Sequence, residues 1–279
     1  EHGMKFRINA WKGFVAFDYI RKLYREIKVY EINKGETERV YRDALKKVEQ
    51  CIENNSKGLR KLLVSIAGEF MNIKTDRSRR RPVVAVLGEI FMRDNAGCNG
   101  NIANRLEDLG AEVLIGPFSE WITYSTHRFT RDSKWKNDTK GVFKSRLQGI
   151  GQEIIVESLL RGITKFTDHE KEVSLHDMLN MCNTYVSEFY DGDPPIAMGS
   201  SAALAKRGVS GIAAILPFTC MPGTLIAAVS DSFRKDNNNI PFINIAYDGQ
   251  DSVSLDTRLQ AFVFQVKEYA KAMNLVTVQ

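Results

Sequence analysis

Four short apolar runs, each separated from the next by helical sequence, leave this chain few ways to fold. Val83-Val84-Ala85-Val86-Leu87 stops at Gly88, and Ala111-Glu112-Val113-Leu114-Ile115 follows a helical stretch over 102–109 that Gly110 ends. Gly211-Ile212-Ala213-Ala214-Ile215-Leu216 and Phe242-Ile243-Asn244-Ile245-Ala246 repeat the arrangement around a second helix over 224–233. Runs this short and continuous are the pattern of strands buried on both faces. Two strands joined through a helix form a βαβ unit, whose strands are parallel. The expectation is an α/β fold, a flavodoxin-like parallel sheet with strands near 83–88, 112–116, 211–217 and 241–246.

Residues 11–75 read instead as a helical N-terminal layer. Phe17, Ile20, Leu23, Tyr24 and Ile27 recur at three and four, as do Val40, Ala44, Val48 and Ile52, and then Leu59, Leu62, Leu63 and Ile66. Residues 139–208 also look helical, with Ile150, Ile154, Ile155 and Leu159, then Leu175, Met178, Leu179, Cys182 and Tyr185, as apolar stripes. The organisation read from this is a helical segment over 1–80, then an α/β domain over 81–279 with a helical insertion at about 139–208. A last helix is expected over 255–273.

The 279 residues suffice for one large or two modest domains, and 43% apolar with 26% charged residues excludes disorder, collagen and a coiled coil as the main architecture. The apolar runs fall well short of the ~20 residues of a membrane span. The N-terminus lacks the regions of a signal peptide, and the four cysteines form no CxxC pair or disulfide framework. A soluble, cytoplasmic protein is expected. Glu1-His2-Gly3 before Met4 is unlike a natural start and points to a fragment of a longer protein. The net charge is +5, and the one dense basic run, Arg77-Ser78-Arg79-Arg80-Arg81, has no interleaved aromatics, so nucleic acid is not favoured as a partner.

In a doubly wound sheet, ligands bind beyond the carboxyl ends of the strands, which singles out the loops 89–100 and 217–223. Each carries a cysteine, Cys98 in Asp94-Asn95-Ala96-Gly97-Cys98-Asn99-Gly100 and Cys220 in Pro217-Phe218-Thr219-Cys220-Met221-Pro222-Gly223. Cys51 and Cys182 sit on apolar helix faces and read as core residues. Cys220 has three readings: a packed thiol in a proline-bounded turn, a metal or cluster ligand, and a nucleophile aided by the following helix N-terminus. A nucleophile wants a histidine base, and His2, His127, His169 and His176 are scattered, so ligation ranks above it. Gly199-Ser200-Ser201 reads as a helix N-cap with an anion site as the alternative, and Asp248 with Asp251 as a turn and cap or as a metal or substrate contact. There is no GxxxxGK[ST] or GxGxxG motif.

Several strings together carry a resemblance. Val29-Tyr30-Glu31-Ile32-Asn33-Lys34-Gly35-Glu36-Thr37, Pro117-Phe118-Ser119-Glu120-Trp121, Leu216-Pro217-Phe218-Thr219-Cys220-Met221-Pro222-Gly223-Thr224, Ile240-Pro241-Phe242-Ile243-Asn244-Ile245-Ala246-Tyr247-Asp248-Gly249-Gln250 and Thr257-Arg258-Leu259-Gln260-Ala261-Phe262 resemble the acyl-CoA dehydratase activase-related proteins of the 2-hydroxyacyl-CoA dehydratase and benzoyl-CoA reductase superfamily. The resemblance runs from about Phe6 to Tyr269, and the Pro-Phe-Thr-Cys-Met-Pro-Gly string is its most specific part.

That resemblance implies an oxygen-sensitive [4Fe-4S] protein of an anaerobe, acting in electron transfer to an acyl-CoA dehydratase, with an acyl-CoA substrate or a dehydratase or activase protein as partner. Cys220 matches the last of three cluster cysteines in dehydratase-type subunits, and Cys98 is a second candidate. The other two family ligands belong to a more N-terminal domain that this chain lacks, and so does the family's ATPase motif. The implied function is an iron-sulfur-associated component of such a system, with a docking or regulatory α/β module lacking its own cluster as the alternative. The sequence leaves the oligomeric state open.

Overall fold

The computed structural model describes residues 3–167, 173–249 and 253–276. In chain order its elements are α1 (Met4–Lys28), α2 (Glu36–Glu53), α3 (Leu59–Met71), β1 (Val83–Gly88), α4 (Ile90–Asp94), α5 (Ile102–Asp108), β2 (Glu112–Ile115), α6 (Phe118–Trp135) and α7 (Thr139–Leu160). After these come α8 (Leu175–Cys182), α9 (Pro194–Lys206), β3 (Gly211–Pro217), α10 (Met221–Asp236), β4 (Phe242–Tyr247) and α11 (Val253–Ala272). The chain divides into two compact units, one of residues 1–76 and 117–172, the other of 77–116 and 173–279.

The first unit is helical. Val15, Ile20, Leu23 and Ile27 of α1 share a core with Val40 and Ala44 of α2 and Leu63, Ile66 and Phe70 of α3, the three- and four-residue spacing putting each set on one face. Remote carboxylates fix two helix starts. Glu31 accepts the backbone N–H groups of Gly35 and Thr37 at 2.9 and 2.8 Å, at the entry to α2. Asp18 accepts those of Phe118 and Ser119, at the entry to α6. Both replace the local N-cap side chain that Gly35 and Pro117 do not supply.

α6 and α7 make an antiparallel hairpin whose seam is polar. Thr130 Oγ1 donates to Ser145 Oγ at 2.8 Å, and Gln148 Nε2 donates to Thr126 Oγ1 at 3.1 Å. Further along, Tyr19 donates its hydroxyl to the Ile163 carbonyl at 2.8 Å, and Leu159 and Ile163 join the core of α1–α3. The expected stripe of Ile150, Ile154, Ile155 and Leu159 is therefore split: Leu159 is buried and Ile155 packs on the core, but Ile150 and Ile154 point outward. The inward face of α7 belongs to Ser145, which meets the Thr130 hydroxyl of α6, and to Gln152, whose backbone carbonyl accepts the Trp11 indole N–H at 3.2 Å.

The second unit holds a four-stranded, all-parallel sheet in the order β2-β1-β3-β4, the flavodoxin-like arrangement the sequence predicts. Side chains alternate across it. Val84, Val86, Ala213, Ile215 and Ile245 face a layer formed by α5 and α11, where Ile102, Leu106, Leu259, Phe262 and Val266 are buried. Helices α9 and α10 pack on the sheet as well. Both faces are covered, which is why the strands read as continuous apolar runs.

One sequence reading is overturned in this unit. Gly199-Ser200-Ser201 neither caps a helix nor offers an anion site, because α9 already starts at Pro194 and these residues are buried within it. A proline sets the first turn without needing an N–H. Ser201 donates to the Ala197 carbonyl at 2.7 Å, the ordinary fate of a serine inside a helix. Gly199 is required by contact, since a Cβ there would run into the Met178 carbonyl where α8 crosses α9.

Candidate functional site: the carboxyl edge of the sheet

β1 and β3 are parallel neighbours, so the loops that leave them emerge at the same edge. Gly88 ends β1 with φ +109°, and a Cβ there would collide with the Ile215 backbone, so only glycine allows β1 and β3 to approach this closely as the chain turns out. The loop then forms α4, a helix too short for its apolar spacing to show in the sequence. Glu89 caps it, its carboxylate accepting the N–H groups of Phe91 and Met92.

The Cys98 loop is wound around two asparagines. Asn95 Oδ1 accepts the N–H of Gly97 at 3.0 Å and that of Cys98 at 3.2 Å. Buried Asn99 donates to the Met92 carbonyl at 2.7 Å, and its Oδ1 accepts the Ile102 N–H at 3.3 Å, tying α4 to the start of α5. Cys98 lies between these fixed points with its side chain exposed.

The Cys220 loop is shorter and more constrained. Phe218 N–H donates to the Tyr247 carbonyl at 2.8 Å, anchoring the loop to the end of β4. Thr219 then takes φ +60°, a left-handed conformation that is a genuine outlier for a β-branched residue. Such conformations cost roughly 1–3 kcal/mol and cluster where a loop must present a side chain in one direction. Cys220 follows as the N-cap residue of α10, yet its side chain makes no capping bond and is half-exposed, flanked by outward Phe218 and Met221. The backbone cap comes instead from the Cys220 carbonyl, which accepts the Thr224 N–H at 2.9 Å.

At the end of β4, Tyr247 has its ring beside the Gly100 turn. Burial pushes its hydroxyl up to about 12, against the pull of Arg105 and Arg258, so the phenol is neutral at physiological pH. Arg105 pairs with Asp256 and Arg258 donates to the Asn244 carbonyl at 2.8 Å. The edge thus carries cationic side chains as well as thiols. Asp248 is exposed just beyond β4, while Asp251, His2 and His169 lie outside the described residues. His176 bonds Asn180 one turn along α8, and His127 lies on α6 of the other unit. Of the basic run, Arg81 donates to the Glu107 carbonyl at 2.9 Å, satisfying the last turn of α5.

Cys98 and Cys220 therefore share an edge, whereas Cys182 is buried in α8, its thiol pushed up to about 12 by burial and by Glu188, and Cys51 lies on α2. Among the described residues no three or more His, Cys, Asp or Glu side chains are gathered so as to hold a metal ion. Two thiols do not make the four-cysteine shell of a [4Fe-4S] cluster, so these residues by themselves do not fit one. Asn99, Thr219 and Tyr247 shape the edge without having been singled out from the sequence. Each lay in a string the sequence marked, Asn99 in the Cys98 loop, Thr219 in the Pro-Phe-Thr-Cys-Met-Pro turn and Tyr247 after the last strand, but only as a neighbour of residues given a role. Among the described residues no helix is long and apolar enough to cross a membrane. In comparisons with known proteins, no family model, no curated protein and no solved structure matches the chain.

Proposed function

We propose that the chain is an α/β component of a 2-hydroxyacyl-CoA dehydratase or activase-like electron-transfer system, and that its sheet edge presents Cys220 to an iron-sulfur partner. The observation that carries this reading is the Thr219-Cys220 turn. A β-branched residue in a left-handed conformation holds a cysteine at the start of a sixteen-residue helix, and the half-exposed thiol makes no capping bond. The Pro-Phe-Thr-Cys-Met-Pro-Gly string around it is the part of the sequence that most resembles the dehydratase superfamily.

Anaerobic reconstitution with ferrous iron and sulfide, followed by iron and sulfide analysis and absorbance spectra, tests it. Bound iron that falls in Cys220→Ser but not in Cys182→Ser supports Cys220 as a ligand. Iron content unchanged in Cys220→Ser removes the ligand role. The absence of a third donor among the described residues favours a second reading, a docking or regulatory module without a cluster of its own. That reading expects no specific iron uptake by the chain alone, with Cys220 still accessible to alkylation.

A further inference from the structure

Helix α7 is amphipathic the wrong way round. Its buried stripe over most of its length is polar, Ser145 and Gln152, while Phe143, Leu147, Ile150 and Ile154 are 72%, 60%, 54% and 62% exposed. Spacings of four, three and four put these four on one narrow stripe, the a/d seam of a coiled coil. Ser145, Gln152 and Leu159, seven apart, lie on the opposite side. Nothing in the fold of the unit needs large apolar residues at the outward positions.

We propose that this stripe is a homodimer interface, in which α7 packs antiparallel against α7 of a second copy of the chain about a two-fold axis level with the midpoint between Leu147 and Ile150. The four-three-four spacing is palindromic, so the two-fold sets Phe143 beside Ile154 of the partner subunit and Leu147 beside Ile150 of the partner subunit, twice over. An isologous contact demands such self-complementarity. Charge points the same way. Arg146 and Glu153, both exposed, flank the stripe on the same side. In the antiparallel arrangement like flanks face each other, so Arg146 meets Glu153 of the partner subunit and Glu153 meets Arg146 of the partner subunit. On the other flank Gly151 leaves room for Lys144 of the partner subunit. A parallel pair would forgo the Arg146–Glu153 match and align the two helix dipoles. The eight apolar side chains offer roughly 1,000 Å² in all, the low end for a specific interface, so a dimer that dissociates in the micromolar range is expected.

Sedimentation equilibrium of the 279-residue chain over a range of concentrations reads the association directly. The wild type should form a dimer, and Ile150→Glu should be monomeric with an unchanged helical circular dichroism spectrum. Arg146→Glu and Glu153→Arg should each weaken the dimer by about tenfold or more, and the double variant should regain most of the loss, since both crossing pairs are then merely reversed. These charged positions are exposed, so their variants test the register without threatening the fold. A monomeric wild type, a dimer that survives Ile150→Glu, or a double variant no better than its singles would each overturn the proposal.

Discussion

Asp18 on α1 caps α6 by accepting the backbone N–H of Ser119 at 2.8 Å, and its other oxygen takes that of Phe118 at 2.9 Å and pairs with buried Arg21 at 3.0 Å. The carboxylate is buried with its partners, so Asp18→Asn removes a charge from a desolvated pair and weakens the hold on α6. Loss of one partner from such a pair costs about 3–5 kcal/mol. Urea denaturation should show a fall of about that size, and a loss below 1 kcal/mol would mean that the pair is solvated.

Glu31 gives the chain an acid-sensitive hinge between α1 and α2. Burial alone would raise its pKa, but the N–H groups of Gly35 and Thr37 and nearby Lys34 bring it below the ordinary carboxylate value. A depressed folded-state pKa contributes stability that is complete above the unfolded value of roughly 4.3 and is lost as pH falls through the folded one. Glu31→Gln should cost ~1 kcal/mol at pH 7, the usual worth of a cap, and its deficit against wild type should shrink between pH 5 and 3. A deficit independent of pH in thermal melts would assign the effect to shape rather than charge.

Three of the four cysteines should separate by reactivity. Exposed Cys98 is expected to react first with iodoacetamide at pH 7.5 and Cys220 next, with buried Cys182, its thiol pushed up to about 12, reacting last. Cys182→Ser should destabilise by ~1–3 kcal/mol, because it sets a more polar hydroxyl in a fully buried site. Peptide mass spectrometry over a time course orders the sites, and early labelling of Cys182 would show that α8 opens readily.

Two glycine substitutions should act in opposite directions. Gly88→Ala forces a Cβ into the Ile215 backbone at a positive φ and should cost more than ~2 kcal/mol. Gly68→Ala lies inside α3 with nothing within 4 Å of the new methyl and should stabilise by up to ~1 kcal/mol. A melting temperature that does not fall in Gly88→Ala would contradict the close approach of β1 and β3.

The four strands and their order were legible because burial on both faces leaves continuous apolar runs bounded by Gly88, Gly110 and Pro217. The shared edge of Cys98 and Cys220 follows from that order alone. Three features were not legible. α4 is five residues long and shows no periodicity. Ser145 faces inward because the Thr130 hydroxyl on α6 meets it, a matter of tertiary partners rather than pattern. Gly199-Ser200-Ser201 looks like a cap because small polar residues mark caps and tight helix crossings alike, and only Met178 on the neighbouring helix decides between them. The strings around Glu31 and around Ser119 turn out to hold helix starts, so their residue choice answers to folding.

The two units are interleaved along the chain, and that shapes how the protein comes into being. As it leaves the ribosome, α1–α3 emerge first, but Leu159 and Ile163, which complete their core, follow only after β1 and β2 have been made. β1 in turn waits for β3, its neighbour in the sheet. Each unit is thus interrupted by synthesis of the other, so two partly built cores coexist with apolar faces open until the second half of the chain arrives. No single cut releases either unit free of the other's residues, and a nascent chain stalled before residue 117 holds five helices and two strands with neither core closed.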